Sequence, residues 1–171
     1  MDIAATNIGR TNAYRAIAAI AALTFAVDEL TKVLARASLS LCHVPSDACQ
    51  QTDLTSWFGF VRLENGGSPL GFGQGLWVWV LLALVGLLLV PVYARAGAGA
   101  GLLALAAGLQ LGGAIGNLVD RAVFGGATDF IRVGVVVVNL ADLALLAGAL
   151  IGTWVLAHAG ARSHGKGVNT R

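Results

Sequence analysis

Between Leu76 and Ala94 the chain reads LWVWVLLALVGLLLVPVYA, without one charged residue. A run of that length and character meets the roughly 20 apolar residues needed to cross a bilayer core. Three further stretches fit the same requirement: about Ala13–Ala35, Gly97–Val119 and about Asn139–Ala159. Inside lipid every backbone donor and acceptor needs a partner from its own segment or from a closed barrel, so stretches of this kind predict helices. The whole chain, residues 1–171, then reads as a single integral membrane domain, all-α in its spans, a bundle of four transmembrane helices. Composition agrees, with 57% hydrophobic and only 12% charged residues, where soluble proteins carry about 25% charged. No basic cluster interleaves with aromatic residues, which excludes a nucleic-acid partner.

Positive charges set an orientation. With four spans, Arg10, Arg15, Arg95, Arg162, Lys166 and Arg171 lie on one side, and Arg36, Arg62, Arg121 and Arg132 on the other. The bias predicts that both termini are cytoplasmic. Arg10 and Arg15 followed by AIAAIAALTFA also resemble a cleavable signal peptide. Cleavage after Ala26 would leave three spans and export the basic tail, and the tail favours the four-span reading. Trp77, Trp79 and Tyr93 suit the two ends of the second span as interfacial anchors.

The extracytoplasmic segment is then Ser38–Gly75. Its SWFGFVRLENGGSP alternates aromatic and apolar residues and then meets Asn-Gly-Gly, a strand-and-turn signal. GVVVVN, ahead of the fourth span, is β-branched and predicts a further short strand. Together they suggest a small sheet on the outer membrane face. Cys42 and Cys49 in this segment fit either a disulfide or two free thiols. Their spacing, with His43 alone nearby, does not suit a metal site, and the chain offers no evident cofactor site. In the third span Gly108, Gly112 and Gly116 recur every four residues, a pattern that allows close helix packing.

The polar residues within the spans converge on one level. The first span runs outward to Asp28 and Lys32, the third outward to Asn117, Asp120 and Arg121, and the fourth inward from Asn139 and Asp142. Asp28 and Lys32, four apart, form a self-neutralising pair on one helical face. Asp120, with Arg121 as its neighbour, reads as a positioning carboxylate. Asn139 as N-cap places Asp142 at the third helical position, where a carboxylate meets the helix dipole. Asp129 follows Gly125-Gly126 and reads as a turn residue. Asp129 and Asp142 lack an adjacent cation, and a carboxylate at membrane depth costs roughly 2.5–3.5 kcal/mol. Brought together they would form a dyad in which one carboxyl keeps a proton while the other takes one from water. That chemistry hydrolyses an amide without metal or covalent intermediate. A proton-coupled transporter or a non-enzymatic membrane scaffold would use some of the same residues. A transporter, however, calls for internal repeats and polar groups near the midplane.

VDELTK, NGG, GGAIGNLVDR, TDFI and VNLAD, in this order and at these membrane positions, resemble the bacterial prolipoprotein, or type II, signal peptidase family. The resemblance implies an intramembrane aspartic endopeptidase with a small extracytoplasmic β-cradle in the bacterial cytoplasmic (inner) membrane. Such enzymes remove the signal peptide from prolipoproteins already carrying diacylglycerol on the lipobox cysteine. It implies Asp129 and Asp142 as the catalytic pair. Substrate-binding or site-supporting roles then fall on Asp28, Lys32, Asn65, Gly67, Gly112, Asn117, Arg121, Phe130, Asn139 and Ala141. Implied partners are lipid-modified prolipoproteins, membrane lipids and globomycin-type inhibitors. Four places depart from the family pattern: Glu29 after the first-span aspartate, Ala127-Thr128 before Asp129, NGGSPLGF in the outer segment, and the loop between the first two spans, which with its two cysteines is longer than typical.

Overall fold

The structure, a computed structural model, describes residues 3–42, 52–66 and 100–166. The predicted second span, with Trp77, Trp79 and Tyr93, lies outside the described residues, as do Gly67, Pro69, Leu70 and Cys49. Three helices are described: α1 (Ile3–Ser38), α2 (Ala100–Phe124) and α3 (Leu140–Lys166). Five strands form one sheet: β1 (Leu41–Cys42), β2 (Thr52–Asp53), β3 (Phe58–Asn65), β4 (Ala127–Val133) and β5 (Val136–Val138).

Helix α2 packs between α1 and α3, and its small residues set how closely. A methyl group on Gly108 would collide with Ile20, and one on Gly112 would sit 2.5 Å from the Ala21 carbonyl of α1. On the other side Gly113 lies against the Ala141 carbonyl, and Gly148 of α3 returns the contact against Ala106. Ile17, Leu103, Ala104, Ala107 and Val155 fill the core between them. The polar pattern is inverted relative to a soluble bundle. Asp28, Lys32, Asn117 and Asp120 are fully buried, while Leu23 (66% exposed), Leu30, Val33, Leu146 and Leu150 (63%) face outward. Among the described helices, Gly101–Phe124 and Leu140–His158 are long and apolar enough to cross a membrane.

The ends of the helices are chemically marked. Helix α2 stops where Gly125 takes φ 80° and returns its N–H to the Arg121 carbonyl at 3.1 Å, the left-handed cap that glycine adopts without strain. Helix α3 opens with a reciprocal cap. The Asp142 N–H donates to Asn139 Oδ1 at 2.9 Å, and the Asn139 N–H donates to Asp142 Oδ2 at 3.3 Å. This is the capping-box arrangement expected from the sequence, with Asn and Asp in place of the commoner Ser and Glu.

The sheet runs β1-β3-β4-β5, with β2 on β3. Strand β3 pairs antiparallel with β4, and the register shifts between Phe60↔Ile131 and Leu63↔Asp129. One extra residue on β3 at that bulge reverses which side chains share a face with Asp129. Leu63 and Asn65 are brought to the Asp129 side, and Arg62 and Glu64 are turned to the other. Cys42, on β1, is buried and disulfide-bonded, so the free-thiol alternative is set aside.

Candidate active site

Asp129 is the third residue of β4, not a turn residue. The turn is completed by Gly125-Gly126, and the chain is already paired with β3 when it reaches the carboxylate. The strand holds Asp129 buried beside the C-terminal end of α2 and the N-terminal end of α3. The bulge places Asn65 beside it, and Asn65 Nδ2 donates to Asp129 Oδ2 at 3.1 Å. Asn139 Nδ2 donates to Asp129 Oδ1 at 2.6 Å.

Asp142 stands one turn into α3 with its own two donors. Asn117 Nδ2 reaches Asp142 Oδ1 at 2.8 Å, and the Asn139 backbone N–H reaches Oδ2. Asn139 therefore touches both carboxylate-bearing residues. Its remaining side-chain hydrogen goes to Asn117 Oδ1 at 3.0 Å, so its donors and acceptor are all engaged. Two carboxylates are thus tied into one asparagine network contributed by α2, β3, β4 and the start of α3.

Burial raises the Asp129 carboxyl from the ordinary 3.8 to about 7, and the negative charge of Asp142 pushes the same way. The hydrogen bonds from Asn65 and Asn139 and the Arg121 guanidinium pull in the opposite direction without cancelling the effect. A carboxyl so placed holds its proton near neutral pH beside a second carboxyl, the division of roles that acid–base catalysis needs.

Behind this network lies a buried ionic cluster. Lys32 Nζ meets Asp28 Oδ2 at 2.7 Å and Asp120 Oδ2 at 3.4 Å, and donates to Asn117 Oδ1 at 3.1 Å. Asp28 also accepts the Ala141 N–H at 2.8 Å, so the pair read from the sequence as self-neutralising additionally ties α1 to the first turn of α3. Asp120 corrects the sequence reading. Its direct partners include Lys32, Arg36 and the Thr128 N–H (2.7 Å), with the charge of its neighbour Arg121 acting in addition. Arg121 turns back to the Asn117 carbonyl at 3.0 Å and faces the cleft.

The other expected residues take varied places. Gly112 packs against α1, away from the carboxylates. Phe130 turns from Asp129 towards an apolar hollow lined by Leu34, Ala35, Leu39 and Phe60. Gly67 is outside the described residues. Sequence reasoning passed over Arg36 and Thr128. Arg36 Nη1 donates to Asp120 Oδ1 at 2.9 Å and to Thr128 Oγ1 at 2.8 Å, and the guanidinium stacks on Phe124 at 4.4 Å. The one available signal was that Thr128 departs from the resembled pattern.

A cleft of about 510 Å³ opens onto the network, bordered by Asn65, Arg121, Asp142, Leu145 and the four residues Val135–Val138. The family profile described as "Signal peptidase (SPase) II" matches residues 20–157, across α1, the sheet, α2 and α3. The chain belongs to the signal peptidase II family. It is 33% identical to the lipoprotein signal peptidase of Streptomyces coelicolor over 83% of this chain and 72% of that protein. With that of Azoarcus it shares 32% over 82% of each chain. A shorter match, 48% identical, joins it to the Moorella thermoacetica lipoprotein signal peptidase over 32% of this chain and 37% of that protein. Two solved bacterial membrane enzymes, determined by the in meso method, share its fold. One has a TM-score of 0.70 and 20% identity, covering 84% of this chain and 88% of that one. The other has a TM-score of 0.66 and 21% identity, covering 80% and 89%. The signal peptidase II match includes every residue of the asparagine network and of the ionic cluster behind it.

Proposed function

We propose that this protein is an intramembrane aspartic endopeptidase that removes the signal peptide from diacylglyceryl-modified bacterial prolipoproteins, cutting before the lipidated cysteine. Family membership supports signal-peptide removal. The observation that carries the mechanism is the asparagine network joining Asp129 to Asp142, with Asp129 held at about 7.

In this reading Asp142 takes a proton from water as the water oxygen attacks the scissile carbonyl carbon, and Asp129 gives its proton to the carbonyl oxygen. The tetrahedral species then collapses: the C–N bond breaks, the amine nitrogen takes the proton held by Asp142, and Asp129 recovers its own. Asn65, Asn117 and Asn139 keep the carboxyls in place. Arg121, at the cleft wall, is the cation nearest the developing negative charge. Gly112, Asp28, Lys32, Asp120 and Ala141 support the geometry from behind.

The chain is read as one domain of four spans with both termini cytoplasmic, set in the cytoplasmic membrane with its site near the outer face. The sheet serves as a cradle for the peptide. The substrate's acyl chains stay in lipid, since each exposed methylene would cost about 0.8 kcal/mol. The scissile bond then reaches the dyad from the side, and a globomycin-type cyclic peptide would compete for the same cleft. The deciding experiment is conversion of a diacylglyceryl-modified prolipoprotein by purified protein in detergent. Wild type should cleave, and Asp129→Asn and Asp142→Asn should insert normally yet be inactive. Near-normal turnover by either variant would sink the dyad.

A further inference from the structure

The cleft beside Asp142 is bordered by four consecutive residues, Val135, Val136, Val137 and Val138. A cleft lying over one face of a strand meets alternate residues, because successive side chains point to opposite sides. Contact with all three residues of β5, Val136 to Val138, and with Val135 of the turn before it, places the cleft along the edge of the strand. Among the described residues β5 is also the end of the sheet, paired to β4 on one side only.

Which backbone groups meet that cleft follows from the phase of the ladder. The Gly134 N–H donates to the Trp57 carbonyl at 2.8 Å, so Gly134 points its amide towards β3. Its neighbour Val133 then points the other way, and Val133↔Val136 is a hydrogen-bonded pair, as a two-residue turn requires. Ile131↔Val138 is the next bonded pair, and Arg132↔Val137 between them is not. Val137 therefore directs both its N–H and its C=O away from β4, towards the cleft. Next along the chain, the Asn139 N–H is taken by Asp142.

We infer that the β5 edge is a substrate-binding element: the extended polypeptide flanking the scissile bond adds to the sheet as a strand, exchanging hydrogen bonds with the Val137 N–H and C=O. This rests on the peptidase reading above and deepens it. The occupant is a peptide because only an extended backbone offers a donor and an acceptor at the spacing of a strand edge. The location agrees, since the same cleft holds Asp142, Asn65 and Arg121. Recognition through main-chain groups also suits an enzyme that must accept many sequences, because strand addition leaves side chains unread except where pockets meet them. Val136 and Val138 are bonded inward and hold the edge rigid.

The test uses the full-length protein in detergent with a synthetic diacylglyceryl-cysteine prolipoprotein peptide. Val137→Pro removes the outward N–H, and proline is tolerated in an edge strand where its missing N–H faces away from the ladder. Val137→Ala keeps the amide and trims the side chain. The expected result is a KM for Val137→Pro about fivefold above that of Val137→Ala, the loss of one hydrogen bond of roughly 1 kcal/mol, with kcat similar in the two. A backbone N-methyl scan of the substrate, run on the wild-type protein, reads the same contact without touching the fold. It should raise KM at one residue and spare its immediate neighbours. Equal KM for the proline and alanine variants, together with a flat N-methyl scan, would overturn strand addition and leave the peptidase reading standing. Failure of the wild-type protein to cleave this substrate would overturn both.

Discussion

Asn117 donates its side-chain amide to Asp142 Oδ1 at 2.8 Å while its carbonyl oxygen accepts from Lys32 and from Asn139. Its orientation is fixed by those two donors, since only the oxygen can meet them. The nitrogen is thereby aimed at Asp142. Asn117→Leu keeps the volume and removes both ends of this relay. We expect kcat to fall on the order of 10²-fold, the scale for a catalytic group displaced by about an ångström, with KM changed only a few-fold. Steady-state cleavage of the lipidated peptide separates the two. An unchanged kcat would mean that Asp142 keeps its pose unaided.

We expect Lys32 to support the fold before the chemistry. It is fully buried between Asp28 and Asp120, so Lys32→Met leaves two carboxylates without their shared cation. Removing one partner of a buried pair typically costs about 3–5 kcal/mol. Thermal unfolding in detergent should show a large drop for Lys32→Met and partial recovery in the double variant with Asp28→Asn, which still offers Oδ1 to the Ala141 N–H. A double variant no more stable than the single one would show that Asp28 is not the group left stranded.

Local patterns in the sequence were enough for some of this and not for the rest. The Asp28–Lys32 pair and the Asn139–Asp142 cap are contacts within one helical turn, and spacing alone displays them. The glycines at 108 and 112 announced a close helix contact, and they make it with α1. Asp129 was misplaced because Gly125-Gly126 is a genuine turn signal, while the pairing that makes the next residues a strand comes from β3, far away in the chain. The bulge between Phe60 and Leu63, which selects Asn65 over Glu64 as the neighbour of Asp129, leaves no mark in composition. Arg36 was hidden for the same reason, as its partners Asp120 and Thr128 lie 84 and 92 residues away. Asp120 was assigned to the nearest cation in sequence, but adjacent helical residues point about 100° apart and do not face each other.

The proton on Asp129 should be visible in pH dependence. With its carboxyl raised from 3.8 to about 7, the folded protein retains between those values a proton that the unfolded chain has released. This group's contribution to stability therefore falls as pH rises across that window, by at most roughly 1.4 kcal/mol per unit. Melting temperatures of wild type and Asp129→Asn, measured from pH 5 to 8, should diverge in slope, with the asparagine variant the flatter. Cleavage by wild type should decline above about pH 7 as the acid form is lost. Activity still rising from pH 7 to 9 would assign the proton elsewhere.

We expect Arg36 and Thr128 to control how Asp129 is set. Asp120 Oδ2 takes the Thr128 N–H, Asp120 Oδ1 takes Arg36, and Arg36 closes the ring on Thr128 Oγ1. This three-membered clamp fixes the residue immediately before Asp129 to α1 and α2 together. Thr128→Val keeps the branched shape suited to a strand but leaves the guanidinium facing a methyl group. A hydrogen bond to a charged donor is worth about 1.5–3 kcal/mol, and part of that loss should appear as a shift of Asp129 relative to Asp142. We expect kcat for Thr128→Val to fall about tenfold or more while Thr128→Ser, which restores the oxygen, retains more activity than the valine variant. Arg36 reaches both partners through the one nitrogen Nη1, and Arg36→Met removes both bonds at once, so it should lower kcat at least as much as Thr128→Val and adding Thr128→Val to it should not deepen the defect. If the two substitutions instead multiply, Arg36 and Thr128 act separately and the clamp is not one unit.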